Sequence, residues 1–106
     1  DWSRKTKKMH NNLVVPWYAT KIFQDLGFTD SFREQNSDPI KYPGITWDNK
    51  QRIDSHRIDY IFYKGKKLKS TESKTYMSFL DEPIKINDKN FTYPSDHGIV
   101  VTTFSF

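Results

Sequence analysis

Two acids and a histidine carry the chemistry this sequence offers. Asp96 and His97 stand together in Tyr93-Pro94-Ser95-Asp96-His97-Gly98-Ile99-Val100-Val101, at the mouth of a β-branched apolar run. An acid and an imidazole where a loop enters a rigid sheet suit general acid–base catalysis. A Ser-Asp-His tripeptide is also a common turn, with Ser and Asp capping backbone amides. The third group is Asp59, in Arg57-Ile58-Asp59-Tyr60-Ile61-Phe62-Tyr63. That composition favours a strand, with Ile58, Tyr60 and Phe62 on one face and Asp59, Ile61 and Tyr63 on the other. An unpaired carboxylate inside such a strand would cost several kcal/mol. Asp59 therefore needs a partner: an arginine, backbone amides, a metal, or a histidine such as His97.

Other elements must position these groups. Pro16 suits the first turn of a helix and Gly27 the position after its end, with Ala19, Ile22, Phe23 and Leu26 forming one apolar face between them. The expected helix, near residues 16–26, packs on a sheet as scaffold. Asp30 and Ser31 form a local turn, and Gln35 to Gly44 is an extended connection. Ile45-Thr46-Trp47 begins a short strand, followed by a loop over Asp48 to Gln51. Lys64-Gly65-Lys66-Lys67 reads as a hairpin turn, and Leu68 to Tyr76 as its returning strand, with lysines protecting an exposed edge. Residues Met77 to Asn90 form an irregular connection. The final strand, from Ile99 through Phe104, is buried.

The 106 residues suffice for one small domain with a modest core. Apolar residues make up 35% and aromatics 16%, so Phe, Tyr and Trp must supply much of that core. The mean hydropathy of -0.83 is polar, but this many aromatics argue against disorder. A net charge of +4 is compatible with an anionic substrate and does not establish nucleic-acid binding. The lysines from Lys64 to Lys69, and the basic stretch from Asp1 to Asn12, read first as solvated surface and second as phosphate-facing patches. The absence of cysteine excludes disulfides and Cys-ligated zinc. No apolar run reaches membrane-spanning length.

Taken together, Ile45-Thr46-Trp47, Arg57-Ile58-Asp59-Tyr60-Ile61-Phe62 and Pro94-Ser95-Asp96-His97-Gly98-Ile99-Val100 resemble the C-terminal part of the endonuclease/exonuclease/phosphatase superfamily, in its order and at about its spacing. The helix from Pro16 and its Gly27-Phe28 exit extend the resemblance over most of the chain. It implies an α+β fold: the C-terminal half of a DNase I-like α/β sandwich, mainly antiparallel sheet with one packed helix. Residues 1–106 would be a single partial domain.

The resemblance also implies roles. His97 would be general base, or donor to the phosphoryl oxygen, and Asp59 would orient it. Asp96 would help bind Mg²⁺ (or Mn²⁺). Thr46 and Trp47 would lie near the rim of the site, Trp47 as core or wall, and with Arg57 would be its substrate-binding residues. The activity implied is metal-dependent hydrolysis of a phosphodiester or phosphomonoester.

The family's N-terminal half supplies an Asn, the main metal-binding Glu and a Gly-Asp-Phe-Asn-type motif. These are missing, and Asp1-Trp2-Ser3 looks like sequence shortly after that motif in some bacterial members. The chain is thus expected to be a segment of a longer enzyme, inactive without its complementary half. That half, or self-association, would cover an exposed sheet face. A secreted or periplasmic location fits if the preceding sequence carries a signal peptide. The competing expectation is a non-catalytic basic and aromatic module that holds nucleic acid or another polyanion.

Overall fold

A computed structural model describes residues 18–48, 55–77 and 83–106. The basic N-terminal stretch, Pro16, and the loop tip from Asn49 to Gln51 lie outside them.

Helix α1 (Tyr18–Asp25) is tied along its surface by Lys21 to Asp25, one turn on, at 2.8 Å. It stops by a Schellman motif. Gly27 takes φ +80°, its N–H reaches Gln24 O at 2.9 Å, and Phe28 N–H reaches Phe23 O at 3.0 Å. The accompanying apolar contact is Phe28 edge-on against Phe23, centroids 5.7 Å apart. Phe23 also stacks on Phe62 at 5.0 Å. Tyr18, Ile22 and Leu26 remain exposed, and the Leu26 carbonyl accepts from Lys64 Nζ at 2.6 Å.

Strand β1 (Thr29–Asp30) runs straight into helix α2 (Ser31–Gln35). Asp30 is its N-cap and accepts from Phe32 N (3.1 Å) and Arg33 N (3.2 Å). Phe32 is the buried apolar side chain among the described residues. Gly44, at φ +64°, lies so close that a Cβ there would sit 2.4 Å from the Phe32 ring. The Arg33 guanidinium donates to the carbonyls of Asn36, Tyr42 and Pro43, which fastens the 36–44 connection.

The strands form four antiparallel pairs. They are β1 with β4 (Phe62–Tyr63), β2 (Trp47–Asp48) with β3 (Ser55–His56), β5 (Lys69–Tyr76) with β8 (Ile99–Ser105), and β6 (Ile84–Ile86) with β7 (Lys89–Phe91). The class is α+β, mainly antiparallel.

Three expectations change. The chain bends at Lys66 and Lys67, but β5 does not return along β4; it pairs with β8, from Lys69↔Ser105 to Tyr76↔Ile99. Residues 84–91 are a hairpin rather than irregular. Asn87 (φ 48°) and Asp88 (φ 62°) form a two-residue turn with both φ positive, the turn that matches strand twist. The last strand is not fully buried. Val101, Thr103 and Ser105 face outward and exposed, while Thr102 lies on the inner face.

That inner face is held by polar groups. Thr102 Oγ1 shares hydrogen bonds of 2.8 Å with both Ser31 and Ser73. Gln35 and Asn36 donate to the backbone carbonyls of Ser70 and Ser73 at 2.8 and 2.9 Å. Glu34 accepts from Tyr63 Oη at 2.6 Å and from Ser70 Oγ. Helix α2 is thus fixed to β5 largely by hydrogen bonds, which satisfy the buried hydroxyls of Ser31, Ser70 and Ser73.

Candidate active site

Thr46 and Trp47 organise the site. Thr46 is fully buried, and its hydroxyl accepts from Ile58 N (3.2 Å) and Asp59 N (3.1 Å). Its own N–H goes to His56 O (3.0 Å), and its carbonyl accepts from Gly98 N (2.6 Å). Trp47 pairs with His56 across β2 and β3 and forms a backbone bridge to His97. One dipeptide thereby brings the Asp59 segment and the His97 segment together.

The same contacts change the expected strand over Arg57 to Tyr63. Only Phe62–Tyr63 is strand, because a side-chain hydroxyl takes the Ile58 and Asp59 amides in place of a ladder partner. Gly98 is glycine for want of space. A Cβ there would lie 2.6 Å from Tyr76 O and 2.4 Å from Met77 Sδ.

Asp59 and His97, 38 residues apart, meet with His97 Nδ1 at 3.0 Å from Asp59 Oδ1 and 2.9 Å from Oδ2. An ionised carboxylate can only accept, so Nδ1 carries the proton, and in neutral imidazole Nε2 holds a lone pair. The pair is half-open: the His97 and Asp59 side chains are 38% and 37% exposed. Ser95 Oγ accepts from His97 N at 3.1 Å and shapes the loop that delivers the ring.

Asp96 lies on the Nε2 side, its Oδ1 4.0 Å from that nitrogen. Its Oδ2 accepts the Trp47 indole N–H at 3.1 Å. That bond, helped by its own backbone N–H and by His97, holds the Asp96 carboxyl below the usual carboxylate range. A groove of about 470 Å³ opens beside Asp59, walled by Phe23, Ile58, Tyr60 and Phe62.

Arg57 and Thr46 are placed otherwise than expected of substrate-binding residues. The Arg57 side chain is 1% exposed and ion-paired to Asp30. Its guanidinium lies over the rings of Phe32 (4.9 Å) and Tyr60 (4.5 Å). It is an internal anchor, since a buried guanidinium cannot reach a ligand. Thr46 is equally closed off and acts by holding backbone. Trp47 stays at the surface of the site. Sequence reasoning missed His56, whose ring lies 5.8 Å from Trp47. It also missed Asp30, although a capping acid followed by Ser31 and Glu34 marks a helix start.

Asp96 fits a hard divalent cation as one oxygen ligand. Among the described residues no three His, Cys, Asp or Glu side chains gather as a metal site, so further ligands would come from elsewhere.

No family model matches the sequence, and no solved structure matches it. The chain is similar to an uncharacterized protein of Caenorhabditis elegans, F14F9.5, with 36% identity over 118 aligned residues. The match takes in the whole of this chain and 37% of the relative's length.

Proposed function

We propose that this chain is the C-terminal half of a DNase I-like, metal-dependent phosphoesterase and supplies the His-Asp part of its active site. The observation that carries this is the Asp59–His97 pair, held at 2.9 and 3.0 Å on a half-open surface with Asp96 on the far side of the ring. Asp59 fixes the tautomer and orientation of His97. His97 Nε2 takes a proton from the attacking water or, protonated, donates to a phosphoryl oxygen. Asp96 contributes an ionised oxygen ligand for Mg²⁺ or Mn²⁺. Such an ion, when bound, neutralises phosphate charge and acidifies a water. The complementary N-terminal half supplies the remaining ligands, and its docking is the reading given to the apolar side chains exposed here.

The competing reading, a passive polyanion binder, draws less support. Lys64, at the surface, is engaged with the helix end, donating to Leu26 O at 2.6 Å, and Lys69 lies beside Glu34. Passive binding also gives no role to a carboxylate aimed at an imidazole.

The test is hydrolysis of bis(4-nitrophenyl) phosphate and 4-nitrophenyl phosphate by the full-length protein carrying this chain, with Mg²⁺ or Mn²⁺. His97→Ala is expected to lower kcat by about 10²–10⁴-fold with an unchanged melting temperature. Hydrolysis at the wild-type rate in that variant would overturn the assignment. Salt-sensitive nucleic-acid binding indifferent to Mg²⁺ and His97, without hydrolysis, would favour the binder.

A further inference from the structure

We infer that Trp47 is a positioning residue for Asp96: its indole N–H holds one carboxylate oxygen so that the other faces the open side of His97. The inference rests on the phosphoesterase reading for its functional meaning, but its geometry stands apart from it.

The Asp96 side chain is 81% exposed, on a loop between a proline and a glycine. An exposed aspartate samples several rotamers, and ordering one costs entropy at the moment of ligand binding. Here the Trp47 indole Nε1 donates to Oδ2 at 3.1 Å, and Oδ1 comes to lie 4.0 Å from His97 Nε2. The indole is itself placed by backbone: Trp47 pairs with His56 on one side and bridges to His97 on the other. Donor, carboxylate and imidazole therefore share one rigid frame. A tryptophan serving only as wall would need ring area and no aimed N–H. Outer partners that orient a ligating carboxylate affect metal affinity by roughly 10–100-fold, and an exposed one belongs at the low end.

The full-length protein, labelled with ¹⁵N in its tryptophan side chains, provides the test, the Trp47 indole signal being assigned by its loss in Trp47→Phe. Asp96→Asn should shift that signal, and so should titration with Mg²⁺. Trp47→Phe keeps a ring but lacks the donor. It should raise the Mg²⁺ concentration for half-saturation about tenfold, read on the His97 backbone amide in uniformly ¹⁵N-labelled protein, and saturating Mg²⁺ should restore kcat. An indole signal indifferent to Asp96→Asn would overturn the inference. So would Mg²⁺ affinity unchanged in Trp47→Phe, or a loss of kcat that Mg²⁺ does not restore. If the indole responds and Mg²⁺ binds but no phosphoester is hydrolysed, the phosphoesterase reading falls while the Trp47–Asp96 assignment stands.

Discussion

Arg57 and Asp59 lie two residues apart, and each makes a charged pair, yet the pairs live in different surroundings. Arg57 and Asp30 are 1% and 6% exposed. Asp30 caps α2 while it accepts the guanidinium, and two aromatic rings cover that guanidinium. Asp59 and His97 are more than a third exposed, and the far nitrogen of the ring faces a surface carboxylate. One short extended segment thus sends an anchor inward and a working group outward. A buried ion pair can hold elements together but, closed off from solvent, cannot exchange a proton with a ligand. A half-open pair with one nitrogen uncommitted to the carboxylate can.

The contrast breaks most sharply at the anchor. Arg57→Ala should destabilise the fold by about 3–5 kcal/mol, because it leaves Asp30 charged and buried and removes the group between Phe32 and Tyr60. Urea unfolding measures this, and a loss below about 1 kcal/mol would place Arg57 outside the structural role. Gly98→Ala should cost about 1–3 kcal/mol by overpacking. Its added Cβ meets the backbone carbonyl of Tyr76 and displaces the strand entry that carries His97. The melting temperature and the His97 ring resonances should change together.

The smallest effect belongs to Glu34, whose carboxylate is held below its ordinary value by the Ser70 hydroxyl first and the Tyr63 hydroxyl second. A carboxylate depressed by folding stabilises the fold above its unfolded value of 4.5, and that contribution fades as pH falls through the lowered folded value. Wild type should therefore melt above Glu34→Gln at neutral pH, and the two curves should converge in acid. A gap that persists or widens in acid would contradict the assignment.

Much of this frame is legible before the fold is seen. The limits of α1 follow from Gly27 and the spacing of its apolar residues. Asp59 announces its need for a partner by its neighbours, and Ser95 to Gly98 announce the turn. Other features hide because their causes are non-local. The segment from Arg57 to Ile61 has strand composition, but the Thr46 hydroxyl takes its amides, and no propensity foretells that. Leu68 to Tyr76 follows a lysine-rich turn like a hairpin arm, yet its partner is β8, some thirty residues on. The Asn87-Asp88 turn was readable; its flanks, Ile-Lys-Ile and Lys-Asn-Phe, are too polar to stand out as strands. Arg57 takes a substrate-binding role from the resemblance, and only the distant Asp30 reveals it as an anchor.

The central claim is that Asp59 and His97 act as one unit. The most direct measurement is phosphodiester hydrolysis by the full-length protein and its Asp59→Asn, His97→Ala and doubly substituted forms. Groups that work together are non-additive, so the double variant should be no slower than His97→Ala alone, with all four proteins melting alike. A double variant slower than His97→Ala by the full Asp59→Asn factor would show two independent residues and contradict the account.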